Sequence, residues 1–77
     1  MIKNKEINKI IDYLKNKHVF DISFKNSYNF TNYQLRVDPE KKTIERGSWT
    51  WGDVYIYSRN DLKIIIDLLL AVGFRYE

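Results

Sequence analysis

The chain is 77 residues long, enough for one domain near the lower limit at which a hydrophobic core sustains itself. At 44% hydrophobic, 16% aromatic and 30% charged residues its composition is globular, and the absence of cysteine excludes disulfides and thiolate metal sites. The net charge of +3 is uneven: residues 1–37 carry seven Lys/Arg against three acids, residues 38–77 six against seven. That bias falls short of the dense basic stripe of a DNA-binding protein and has the wrong sign for a nucleic-acid mimic.

From Asn4 to Lys17 the spacing predicts a helix, with Ile7, Ile10, Ile11 and Leu14 on one face and Asn4 placed to cap the first turn. The period then switches to two. Between His18 and Lys25, Phe20, Ile22 and Phe24 alternate with Val19, Asp21, Ser23 and Lys25, the pattern of a half-buried strand. After a turn-like stretch at residues 26–29, a second strand is expected from Phe30 to Val37. Asp38-Pro39-Glu40-Lys41 suits a type I turn, with proline at its second position, so Lys42 to Arg46 should return as a third, antiparallel strand.

Residues 47–57 are β-like, but Trp49 and Trp51 share one parity while Val54 and Ile56 share the other. A bulge or turn is expected at Gly52-Asp53, within or before a fourth strand. A final helix is predicted from Arg59 to Val72. Ser58 and Asp61 form a cap-like start, Gly73 suits a left-handed C-cap, and Phe74 is placed to pack back on the last turn. Its only polar stripe is Asn60, Lys63 and Asp67, so its apolar arc is about twice the usual 100°. Burial on two sides, against the sheet and the first helix, is the economical expectation; the alternative is a partner or homodimer surface. The expected fold is a single α+β domain over 1–77: a helix, a three- or four-stranded antiparallel sheet and a helix, with both helices on one sheet face.

Little chemistry is available to such a chain. His18 is the only imidazole, so no ligand set for zinc or another transition metal exists, and no metal or cofactor is expected. The serines lack the glycines of a nucleophile elbow, no glycine-rich phosphate loop is present, and an enzyme is not expected. The opening residues, Met1 to Glu6, lack the apolar core of a targeting signal, and no apolar run reaches the about 20 residues of a membrane span. A cytoplasmic protein without a membrane partner is expected.

Two segments are candidates for binding. Trp49 and Trp51, with Arg46, Tyr55 and Tyr57, offer large aromatic anchors for a protein partner; the competing reading makes the tryptophans core. Lys5 and Lys9 on the first helix, with Arg46, are the candidates for weak, non-specific contact with nucleic acid, and aromatics on an open sheet can stack on bases.

The order of elements resembles that of double-stranded-RNA-binding domains and of HicA-type mRNA interferases. The interferases carry a Gly-Ser-His-type catalytic segment early in the sheet; here the matching stretch reads Asp21-Ile22-Ser23-Phe24-Lys25, without histidine. The RNA-binding domains cluster lysines at the start of the last helix; here Ser58-Arg59-Asn60-Asp61-Leu62-Lys63 has two basic residues with an acid between them. The resemblance therefore transfers no site residue. In size and lack of motifs the chain also looks like small accessory proteins of phages and mobile elements, including inhibitors of host defence such as anti-CRISPR proteins. The expected function is a non-enzymatic module docking on a protein. A mildly basic nucleic-acid-binding domain and a self-associating structural protein are the alternatives.

Overall fold

A computed structural model describes residues 3–25, 32–47 and 52–77. Its elements are α1 (Asn4–Lys15), β1 (Phe20–Lys25), β2 (Asn32–Asp38), β3 (Thr43–Gly47), β4 (Val54–Ile56), α2 (Arg59–Ala71) and β5 (Arg75–Tyr76). The α+β class agrees with the sequence, but the sheet differs from the one expected. It has five strands in the order β4-β1-β2-β3-β5 and is mixed. β1, β2 and β3 form an antiparallel meander, while β4 runs parallel to β1 and β5 parallel to β3.

Both departures have identifiable causes. The chain leaves β3 on one side of β2 and returns as β4 on the far side of β1, so β4 joins in parallel. A glycine at 52 permits this return. A Cβ built there would lie 2.7 Å from the Ser23 Cβ, so only a residue without a side chain can pass so close to β1. Asp53 then locks the entry: its amide donates to the Asp21 carbonyl (2.8 Å), and its carboxylate accepts from the Asp21 amide (2.9 Å). β5 exists because α2 stops sharply. Gly73 takes a positive φ of 106°, the Gly73 amide bonds to the Leu70 carbonyl, and the Phe74 amide bonds to the Leu69 carbonyl. This is a Schellman ending, and it turns Phe74 into the core and the next two residues onto the β3 edge.

Cross-strand partners share a sheet face, so the register sorts the side chains. Phe20, Ile22 and Phe24 lie on the same face as Leu35, Val37, Ile44, Val54 and Ile56, and all of them are buried. Ile10 from α1 and Leu62, Ile65 and Leu69 from α2 enter the same core, with Tyr13 stacked on Phe20 at 5.1 Å between ring centroids. The opposite parity of β1 is not the solvent face that alternation suggests, because Asp21 and Ser23 are buried too. The Asp38 turn forms as expected, with the carboxylate accepting from the amides of Glu40 and Lys41.

The helices depart from their predicted faces. On α1 only Ile10 of the four expected residues is buried; Leu14 is half-buried, and Ile7 and Ile11 point outward. Lys3, not Asn4, occupies the N-cap, and it makes no side-chain cap bond. On α2 the expectation of burial on two sides is overturned. Leu62, Ile65 and Leu69 are buried along one line, whereas Ile64, Leu68 and Val72 are 56%, 61% and 60% exposed.

Candidate functional site

Among the described residues, the side chains singled out in the sequence meet only in part: Lys5, Tyr55 and Tyr57 line one pocket, and Arg46 lies apart from it. Trp49 and Trp51 lie outside the described residues. Arg46 pairs with Leu35, which puts it on the same sheet face as that buried leucine; its guanidinium stands over the Tyr76 ring at 5.5 Å. Tyr55 pairs with Ser23, which puts it on the opposite face of β4, with the Lys25 ammonium 4.7 Å from its ring centroid. Three strand spacings, about 14 Å, separate β3 from β4. Tyr57 is 65% exposed.

The basic residues are similarly dispersed. Lys9 donates to the Asp53 carbonyl (3.3 Å) and pairs with Glu6 (3.5 Å), so its charge is partly committed to holding α1 on the sheet edge. Lys5 lines a pocket of about 300 Å³ at the start of α1, with Lys3 and Glu6, the β4-end residues Tyr55, Ile56 and Tyr57, and Ser58 and Asp61 at the start of α2. Arg46, on β3, is three strand positions from the β4 edge. The centre of the sheet face that carries Ser23 and Gln34 is not an open platform for bases either, since both are 1% exposed. Toward its margin, Arg36 makes a two-pronged contact with Asp21 at 2.8 and 3.1 Å. Hydrogen bonding to Asp21 raises the arginine pKa further above its usual value, with the Asp21, Glu45 and Asp53 charges adding to it and desolvation opposing. His18 is exposed, and its amide closes the end of α1 by bonding to the Tyr13 carbonyl. Among the described residues no three His, Cys, Asp or Glu side chains gather as a metal site would require, and no helix is long and apolar enough to cross a membrane.

The feature that stands out is the outer side of α2. Ile64, Leu68, Ala71 and Val72 recur at i, i+4, i+7 and i+8, so they form one continuous apolar stripe, and all four are exposed. Single exposed leucines are ordinary on a protein surface; three large aliphatics stacked turn upon turn are a patch. The signal was present in the sequence as the excess width of the apolar arc. Sequence reasoning placed that excess against α1, whereas α1 spends its contacts on the β4 edge. Comparison with family models, with curated proteins and with solved structures finds no match for this chain.

Proposed function

We propose that the chain is a non-enzymatic binding module that docks on protein, with the outer stripe of α2 as its contact surface. The observation that supports this reading is the exposure of Ile64, Leu68 and Val72 on a domain whose other large aliphatics mostly fill a single core. In this reading both helices lie on the apolar face of the sheet, and α2 turns its spare apolar side to a partner. Size and the lack of a chemical motif suit an accessory or inhibitory protein of a phage or mobile element, and we place the proposal in that class. Of the expected aromatic anchor, Trp49 and Trp51 lie outside the described residues, Arg46 and Tyr55 occupy opposite faces of the sheet, and Tyr55 and Tyr57 line one pocket.

The test is affinity capture from cells with the wild-type chain and with Leu68→Glu, followed by titration of the identified partner. Loss of an interface anchor costs about 2 kcal/mol or more, roughly a thirtyfold weakening. The interaction should also hold between about 50 and 200 mM salt, where phosphate contacts would weaken by orders of magnitude. A partner held equally by Leu68→Glu and Val72→Glu, or one that is nucleic acid released by salt, overturns the reading.

A further inference from the structure

We infer that the pocket between the starts of α1 and α2 binds a free nucleoside monophosphate. At about 300 Å³ it stands at the lower end of the size range of small-molecule sites, room for one small ligand. None of Ile64, Leu68, Ala71 and Val72 lines it, so it is a separate site from the docking stripe. By count its wall is neutral, Lys3 and Lys5 against Glu6 and Asp61, but these charges are not equally available. Glu6 spends both carboxylate oxygens inside the protein: Oε2 accepts the Tyr55 amide at 2.8 Å, and Oε1 pairs with Lys9 at 3.5 Å. Lys9 does not line the pocket, so it neutralises one wall carboxylate without using a wall cation. Asp61 has a partner as well.

The cations are in the opposite condition. Lys3 and Lys5 are exposed, and neither ammonium has an ion pair or hydrogen bond among the described residues. The Ser58 hydroxyl accepts the Asp61 amide at 3.4 Å and keeps its own proton to donate. The uncommitted polar groups of the wall are therefore donors, and what completes them is a negatively charged acceptor. Two ammoniums suit the roughly −1.5 to −2 charge of a phosphate monoester at neutral pH better than the single charge of a carboxylate. Aromatic surface supplies the rest of the ligand. Tyr55 already has the Lys25 ammonium over its ring at 4.7 Å, whereas Tyr57 is 65% exposed. An open tyrosine ring beside two unpaired ammoniums matches a flat base joined to a phosphate. Stacking accepts the face of any base, so the site selects the class and not one member of it.

Titrating the isotope-labelled chain with adenosine monophosphate and following the amide chemical shifts tests this, with adenosine and inorganic phosphate as the two halves of the ligand. Saturable shifts should gather on residues 3–6 and 55–61, at lower concentration for the nucleotide than for either half. Lys3→Gln and Lys5→Gln should each weaken binding roughly tenfold, the size of a lost charge-assisted contact. Lys63→Gln, an equal loss of charge outside the pocket, should leave it unchanged. Tyr57→Ala should weaken the nucleotide several-fold and leave inorganic phosphate as it was. Thermal melts confirm that these variants fold, as exposed side chains allow. No saturable shift at millimolar nucleotide, or shifts centred elsewhere, overturns the site. Adenosine binding as well as its phosphate overturns the role of the lysines, and an equal loss in Lys63→Gln reduces the binding to general attraction by a basic protein. A phosphorylated oligonucleotide that binds more tightly than the mononucleotide overturns the assignment to a free small molecule.

Discussion

Helices α1 and α2 reach the sheet by different means. α1 has few apolar residues to spend, and much of its attachment is polar: Glu6 accepts the outward-pointing amide of Tyr55 at 2.8 Å, and Lys9 reaches the Asp53 carbonyl. These bonds cover the free edge of β4, which would otherwise offer unpaired backbone groups to another chain. Ile10, Tyr13 and Leu14 complete the contact. α2 is apolar almost all round and makes its attachment through Leu62, Ile65, Leu69 and the returning Phe74. The helix richer in apolar residues is therefore the one that leaves a broad apolar side uncovered. The amount of apolar surface on a helix measures what it is able to bury, and its neighbours decide what it does bury. Here α1 is drawn to the β4 edge by polar bonds, and the outer flank of α2 goes without a cover.

The sharpest way to break this comparison is to place the same charge on adjacent positions of α2. Leu69 is 4% exposed and Leu68 61% exposed. Leu69→Asp should cost several kcal/mol and unfold so small a domain, because the buried carboxylate has no partner. Leu68→Asp should change the stability of the single chain by less than about 0.5 kcal/mol. Urea denaturation at low protein concentration measures both. Equal losses would mean that α2 is buried on both sides after all.

A smaller effect tests the polar attachment of α1. Glu6→Ala leaves the Tyr55 amide without its acceptor and frees Lys9 from one of its two partners. An unmet, partly buried amide costs about 1 to 3 kcal/mol, and this edge position should fall near the lower end. Glu6→Gln keeps an acceptor oxygen and should recover most of the loss. If both variants match wild type, the β4 edge is held by Ile10, Tyr13 and Leu14 alone.

These two helices also show what could be read in advance. Ser58, Asp61, Gly73 and Phe74 act within a few residues of one another, and each does what its local chemistry predicts: the Ser58 hydroxyl accepts the Asp61 amide, and Gly73 ends the helix. The same holds for the Asp38 turn and for the parity of Phe20, Ile22 and Phe24. The parallel pairing of β4 was not legible, because it depends on Gly52 meeting Ser23, a contact between residues about thirty apart that no local pattern encodes. Nor was the rotation of α1. Its four aliphatics define a face well enough, but Glu6 and Lys9 find backbone partners on β4 that turn this face partly to solvent. For the candidate site, the width of the α2 stripe was visible and its exposure was not, since exposure depends on where α1 comes to rest.

The finest contrast lies at the helix ends, where one motif is built from two kinds of residue. α2 ends on Gly73 at φ 106°, and α1 ends on Lys17 at φ 55°. The bonds correspond: the amide of residue 18 to the Tyr13 carbonyl and that of 17 to Leu14, against 74 to Leu69 and 73 to Leu70. An L-residue held at positive φ carries about 1 to 2 kcal/mol of steric cost that glycine avoids. Lys17→Gly should therefore stabilise the chain, by up to about 1 kcal/mol once the greater freedom of glycine in the unfolded state is deducted. Gly73→Ala should cost about 1 to 2 kcal/mol. A Cβ at 73 would meet only the end of the Lys42 side chain, at 3.8 Å or more, so no clash contributes and the loss reports backbone conformation alone. Melting the two variants beside wild type gives shifts of opposite sign if both helices rest on the same terminator. If Lys17→Gly instead lowers the melting temperature, the end of α1 is held by the lysine side chain and not by the turn, and the likeness between the two helix ends is one of shape only.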